Sequence, residues 1–389
     1  MSPIAFRIVQ VEIVPLSIPL LEPFVIATGR VDVTRAAQVK ITLREESSGQ
    51  TAWGLGEGAA LWPVTVEDQP EVLAALARAQ ASLSGVQIHL PVVDGQTPLD
   101  LHALGELEST LDAAFPAAPV ARAAVETALC DAWARVRGLP LRTLLGGSLG
   151  AATRTLATDM TIPIAEPRRM AEGARAWAAR GFTHFKVKVG KDLDSDIAAL
   201  LAIQEAVPEA RFRIDANAGF TAAEAIRLVR SIQAQKLVVE CYEQPCAPND
   251  LEAMAFVTAA LDVPIIADES VKCVADLERV IALRAADGVN LKLVKSGGPL
   301  GCLAIGRLAK EKAMPLMMGG MVETRLGMTA GAHVAAALGG VEFVDLDTAW
   351  LLAEDPYAGR GYIADGPKYE LPDEPGLGIF EAQMGSKSI

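Results

Sequence analysis

The chain has 389 residues, with 35 basic against 48 acidic side chains and a formal net charge of −13. Hydrophobic residues make up 51% and charged residues 21%, which excludes extended disorder, and the acidic excess argues against a nucleic-acid partner. One core rarely holds this length, so two domains are expected, and no run of about 18 apolar residues lacks a charge or a breaker, so neither a membrane span nor a membrane partner is expected.

Arg7 and Glu12 precede Pro15 at the start of the chain, with no apolar signal-like segment, so the reading is cytoplasmic. Residues 1–60 read as strands: 9–15 and 37–44 alternate apolar and polar, and 53–58 reads as a glycine-rich loop. Residues 67–84 and 99–112 carry helical patterns, and a long helix is expected from about Val120 to Arg137, stopped by Gly138-Leu-Pro140. Beyond Gly147 short β-rich segments recur at 155–161, 184–189, 211–216, 237–243, 264–268, 289–292, 315–318 and 342–345, each followed by a helical stretch. Eight β/α units of about 25 residues imply a TIM-like barrel. A doubly wound sheet would carry a glycine-rich phosphate loop after its first strand, and no such loop is present in the sequence. The five cysteines form no C-x-x-C pair and read as buried reduced thiols, and the four histidines are scattered, so a metal here is expected on carboxylates.

Catalytic groups of such barrels sit at the C-terminal ends of the strands. Three consecutive strand ends carry acids: Asp215 in Ile-Asp-Ala-Asn, Glu243 in Tyr-Glu-Gln-Pro and Asp268 in Ala-Asp-Glu-Ser. Three carboxylates at one mouth repel unless a cation compensates them, and hard oxygen donors without His or Cys suit Mg²⁺. Lys186 and Lys188 lie two apart on strand two, so both point to one side, and close ammonium groups are expected to depress each other's pKa. Lys292 ends strand six across the barrel. Lys295, three residues on, is a second candidate there but is read as part of the Ser-Gly-Gly turn.

In this order, Lys-x-Lys, Asp-x-Asn, Glu-Gln-Pro, Ala-Asp-Glu-Ser and Asn-Leu-Lys followed by Gly-Gly resemble the enolase superfamily, and more closely its muconate lactonizing enzyme subgroup. The resemblance covers nearly the whole chain, including the strand-seven segment from Gly319 through Met321 to Thr324. It implies an α/β fold: a (β/α)7β-type barrel at 126–366, an α+β capping domain at 1–125, and a C-terminal segment, 367–389, that returns to complete the cap. It also implies Mg²⁺ on Asp215, Glu243 and Asp268, with Lys188 and Lys292 on opposite faces of an α-carbon. One lysine would remove the proton and the other return one through a metal-stabilised enolate, with Lys186 tuning Lys188 and with Asn217 and Glu269 supporting the ligands. A homo-oligomer is expected by the same analogy.

On strand eight Asp345 and Asp347 alternate onto one face. This Asp-x-Asp resembles the dipeptide epimerases of the subgroup, in which it binds the free α-ammonium of the substrate. The resemblance implies a small-molecule substrate, an L,L-dipeptide, inverted at its C-terminal residue, with Thr161, Ile26 and Met321 as further contacts. The arginine that pairs with a glutamate side chain in alanyl-glutamate epimerases aligns with Gly29, and Arg30 follows one residue later, so an apolar C-terminal side chain is an equal expectation. Ala27 and the 54–58 stretch are expected to shape that pocket. The alternatives are N-acylamino acid racemase, o-succinylbenzoate synthase or muconate cycloisomerase chemistry in the same subgroup, and a catalytically silent binding protein on the same barrel.

Overall fold

The computed structural model describes residues 3–382. The N-terminal part builds an antiparallel sheet in the order β5-β4-β1-β6, from β1 (Ile4–Leu16), β4 (Arg35–Glu45), β5 (Thr51–Ala60) and β6 (Gln87–Leu90). Between β1 and β4 a separate hairpin, β2 (Pro19–Ile26) and β3 (Gly29–Val33), stands off the sheet. Helices α1 (Gln69–Leu83), α2 (Gly105–Ala114), α3 (Pro119–Val136) and α4 (Leu141–Ala152) follow. The sheet packs on α3. Gly54, Gly56 and Gly58 face that helix, where a Cβ on Gly56 would come within 2.0 Å of the Ala124 carbonyl. The glycine-rich stretch is therefore a strand that needs glycine for close approach, and it is not a pocket loop.

The second part begins with β7 (Thr155–Ala157), which pairs outside the barrel with a late strand. The barrel strands are β8 (Met160–Ile162), β9 (His184–Lys188), β10 (Arg211–Asp215), β11 (Val238–Glu243), β12 (Ile265–Ala267), β13 (Gly288–Leu291), β14 (Leu316–Met318) and β15 (Phe343–Val344). They are parallel and adjacent in chain order. The Asp159 amide donates to the Val344 carbonyl (3.0 Å) and joins the first unit to the last. Helices α5 (Pro167–Ala178), α6 (Leu193–Ala206), α7 (Ala222–Gln233), α8 (Leu251–Ala260), α9 (Val274–Leu283), α10 (Leu293–Ser296), α11 (Pro299–Glu311) and α12 (Arg325–Leu338) link them. The expected first strand, 155–161, is thus divided between β7 and β8. Among the described residues no helix is long and apolar enough to cross a membrane. Four cysteines are buried as expected, while Cys273 is exposed.

Short strands complete the described residues: β16 (Tyr357–Gly359), β17 (Ile363–Asp365), β18 (Lys368–Glu370) and β19 (Ile379–Glu381). The C-terminal segment reaches the first sheet and α3. Glu381 accepts from Gln38 (2.7 Å) and Lys40 (2.8 Å), Arg135 donates to the Ile379 carbonyl (2.7 Å), and Asp131 accepts from the Leu377 amide (2.7 Å). The last part of the expected returning segment, 383–389, lies outside the described residues. The expected boundary at 125/126 falls inside α3.

Two buried glutamates of the N-terminal part cap barrel helices. Glu57 on β5 accepts from the Thr324 amide (3.0 Å), the Thr324 hydroxyl and the Gly327 amide (3.0 Å) at the start of α12. Glu126 on α3 accepts from the Leu300 amide (2.7 Å) at the start of α11. Burial, and then the nearby Glu108, push the Glu126 carboxyl up to about 8, although Arg122 opposes this. A carboxyl raised in the folded state stabilises below its unfolded pKa, and that stability is lost as pH rises through the folded value. Relative to Glu126→Gln, wild-type stability should fall by up to about 1.4 kcal/mol per pH unit between the ordinary glutamate value and about pH 8, measured by urea denaturation across that window. A constant difference would contradict this origin of the shift.

Candidate active site

Alternation on the parallel strands turns one set of side chains inward. Lys186 and Lys188 on β9, Asp215 ending β10, Glu243 ending β11, Asp268 just beyond β12 and Lys292 just beyond β13 are all buried and converge at the C-terminal mouth. Lys188 Nζ lies 2.5 Å from Asp215 Oδ2. Lys186 Nζ lies 3.1 Å from Asp215, 2.7 Å from Glu243 Oε2 and 2.7 Å from Asp345 Oδ2. Lys292 Nζ is 2.6 Å from Asp268 and 3.7 Å from Glu243.

The electrostatics differ from expectation at Lys186. Burial disfavours its charge, but Asp345, Glu243 and Asp215 outweigh burial and raise its pKa, so carboxylates rather than the neighbouring ammonium set its state. Lys292 is raised in the same way by Asp268 and Glu243 against burial. Burial opposes the charge of Asp215 and Asp268, yet the lysines hold both below the usual carboxylate range. Glu243 goes the other way: burial and the Asp215 charge push it up to about 7.

Lys295 is also corrected. It lies in α10, not in a turn, and its buried ammonium donates to the Asp268 carbonyl (2.6 Å) and Oδ1 (2.7 Å). Gln244, at φ +34, ties two strand ends together. Its Oε1 accepts from the Asp268 amide (2.8 Å), and its Nε2 donates to Ser270 Oγ (2.8 Å). Asn217, at φ +40, donates to Asp215 (3.4 Å) and to the half-buried Glu269 (3.3 Å). Backbone in this region is costly for a non-glycine residue and is held here by these bonds.

Asp345 and Asp347 follow β15 and face Thr161 on β8. The Thr161 hydroxyl donates to Asp345 Oδ1 (3.4 Å), and its amide donates to Asp347 Oδ2. Asp159 joins them, so one oxygen from each of Asp159, Asp345 and Asp347 lies within 4.8 Å of the others. Asp159 Oδ1 and Asp347 Oδ1 are buried without a hydrogen-bond partner among the described residues. Burial, and then Asp345, raise the Asp347 carboxyl to about 7. Below this cluster Arg213 donates to Asp159 (2.8 Å), Glu240 (3.1 Å) and the Val344 carbonyl (2.9 Å).

Asp215, Glu243 and Asp268 do not approach one another as closely as that second cluster, because ammonium groups stand among them. Their chemistry still fits a hard divalent cation. All three are buried oxygen donors, and Glu243 Oε2 meets Lys186 as an ion pair without forming a hydrogen bond.

Lys188, Lys292, Thr161, Asn217, Asp345, Ile26 and Met321 line one small cavity of about 20 Å³, together with Phe24, Leu61 and Val64. That is room for about one water, so the mouth is closed by the β2–β3 hairpin and the 61–64 segment. Ala27 lies beside Gly190 and does not line this cavity. Arg30 is not brought to the site. It stands exposed on β3 and pairs with Asp32 (2.8 Å), while Gly29 faces open space.

Sequence reasoning missed Asp159, Arg213 and Asn290, the last donating to Glu243 Oε1 (2.8 Å). Each stands two residues before a predicted site residue (Thr161, Asp215 and Lys292), so the alternation that linked Lys186 to Lys188 also points to them. Phe24 carried no such signal.

Two family models match the chain: enolase C-terminal domain-like at residues 169–380, and mandelate racemase / muconate lactonizing enzyme, N-terminal domain, at residues 8–146. The L-Ala-D/L-Glu epimerase of Bacillus subtilis is 34% identical over 383 residues, covering 97% of this chain and 98% of that protein. The aromatic dipeptide epimerase of Herpetosiphon aurantiacus is 34% identical, covering 94% of this chain and 96% of that protein. The solved dipeptide epimerase of Enterococcus faecalis, complexed with Mg and the dipeptide L-Leu-L-Tyr, superposes with a TM-score of 0.84 at 31% identity, covering 96% of this chain and 99% of that one.

The Arg213–Asp159 pair gives a direct check of the buried charges. Arg213→Met leaves Asp159 unpaired and should cost about 3–5 kcal/mol in urea denaturation. Adding Asp159→Asn should recover part of that loss, because the Glu240 and Val344 bonds of Arg213 stay lost, whereas additive losses would contradict the pairing.

Proposed function

The chain belongs to the mandelate racemase / muconate lactonizing enzyme family, and on that premise we propose that it is a Mg²⁺-dependent dipeptide epimerase. It inverts the α-carbon of the C-terminal residue of an L,L-dipeptide. The observation that carries this reading is the carboxylate pair after β15. Asp345 and Asp347 are buried beside Thr161, and Asp347 Oδ1 lacks a donor among the described residues. An α-ammonium supplies three N–H donors and one positive charge to such a place. N-acylated amino acids and muconates have no group of that kind. The names of the relatives, which include Glu-, aromatic and hydrophobic dipeptide epimerases, agree with this substrate class.

Asp215, Glu243 and Asp268 would hold the cation. Mg²⁺ held there would supply a Lewis acid for the substrate carboxylate and further positive charge beside the three acids. Lys188 and Lys292 project into one cavity from β9 and from just beyond β13, with three strands between them. They approach a bound α-carbon from opposite sides, so one removes its proton and the other delivers a proton to the opposite face. Lys186 stays protonated among Asp215, Glu243 and Asp345 and holds positive charge beside the reacting centre. Phe24, Ile26 and Met321 exclude water from the closed mouth, so the β2–β3 hairpin must open for the substrate to enter.

Incubation with a library of L,L-dipeptides and Mg²⁺ in D₂O, read by mass spectrometry, should show one deuterium gained at the C-terminal α-carbon. EDTA should abolish the gain. Asp345→Asn should lower kcat/KM about 10–100-fold with metal affinity unchanged. If no dipeptide gains deuterium, the proposal fails.

A further inference from the structure

Beside the closed mouth lies a second cavity that the mechanism leaves unused. It measures about 490 Å³, within the roughly 300–1,000 Å³ of small-molecule sites. Residues 21–25 of the hairpin form one wall, α5 forms another through Met170, Gly173 and Trp177, and Trp350 and Leu351 close a third side. The cavity shares Phe24 and Thr161 with the lysine-lined one, so the two are neighbours across these side chains.

The aromatic wall is built rather than loosely collapsed. Trp177 meets Trp350 edge to face (6.4 Å between centroids) and meets Phe182 in the same manner (5.6 Å). Trp350 is anchored by its indole N–H on the Tyr369 hydroxyl (2.8 Å). Both basic groups at the cleft are engaged: Arg169 pairs with Glu22 (3.0 Å), and the Arg180 guanidinium stacks on both indoles (4.3 and 4.6 Å).

We infer that this cleft receives the side chain of the dipeptide's N-terminal residue and selects a large apolar one, aromatic above all. The inference rests on the dipeptide reading, because the α-ammonium and that side chain leave the same carbon. Asp345 and Asp347 both contact Thr161, one through its hydroxyl and one through its amide. A residue whose ammonium sits on them therefore projects its side chain near Thr161. The inner cavity on that side is filled by Phe24 and the reacting groups, whereas the cleft beyond Thr161 is open and lined by tryptophan, methionine and leucine. A phenyl or indole ring buries about 150–250 Å² there, and an alanine methyl leaves the cleft wet.

Gly173 supplies the test. It lies on α5 in the wall of the cleft, and a Cβ added there meets nothing within 4 Å. Gly173→Phe would occupy part of the cleft, whose lining includes none of the site's lysines or aspartates, and replacing a helical glycine does not weaken the helix. Exchange of the C-terminal α-proton in D₂O and calorimetric binding, both with Mg²⁺, are compared for L-Phe-L-Ala and L-Ala-L-Ala. The wild type should favour L-Phe-L-Ala by about tenfold or more in kcat/KM, and Gly173→Phe should penalise L-Phe-L-Ala at least about tenfold more than L-Ala-L-Ala. Exchange without a size preference, or an equal loss for both dipeptides in the variant, overturns the cleft assignment and leaves the epimerase reading standing. Size-selective binding without exchange supports the cleft and overturns the reaction. Neither binding nor exchange overturns both.

Discussion

Burying a carboxylate without compensation is costly enough that a protein must either protonate it or bring a cation to it. At the mouth of this barrel the chain does both. Asp215 and Asp268 stay ionised because Lys188, Lys292 and Lys295 reach them, while burial and then a neighbouring aspartate push Glu243 and Asp347 up to about 7. Gln244 and Asn217 hold strained backbone, Asn290 holds Glu243, and Arg213 braces Asp159 from below. The site is a balance of buried charge that a divalent cation and a substrate ammonium would complete.

The N-terminal part stabilises that balance from outside the barrel. Glu57 and Glu126 satisfy amides at the starts of α12 and α11, the helices that follow the strand-seven and strand-six loops. The Thr34 hydroxyl donates to the Val322 carbonyl (2.5 Å), so the chain leaving the β2–β3 hairpin is tied to the mouth segment. Phe24, Ile26 and Val322 form a small apolar cluster separate from the main core. A small cluster is cheaper to open than a shared core, which suits the opening that the proposed reaction requires of this hairpin.

Most of the barrel was legible because short β-rich segments recur and several end in polar residues at regular spacing. What was not legible depended on distant partners. β7 looks like a barrel strand, but its pairing with β18 is set by a segment far along the chain. Gly54, Gly56 and Gly58 look like a loop until α3 is seen pressing on them. Arg30 matched by proximity in sequence to a pocket position, yet strand alternation turns it outward to Asp32. The charge state of Lys186 was misread for a similar reason: its sequence neighbour is a lysine, while its spatial neighbours are three carboxylates from β10, β11 and the end of β15.

In the proposed reaction Lys188 and Lys292 work on opposite faces of one α-carbon. The direct measurement is deuterium incorporation into each purified epimer of a dipeptide substrate by Lys188→Ala and by Lys292→Ala. Each variant should lose epimerisation yet still exchange the α-proton of one epimer, and the two variants should exchange opposite epimers. Exchange of the same epimer by both variants, or retained epimerisation in either, would contradict the two-faced arrangement.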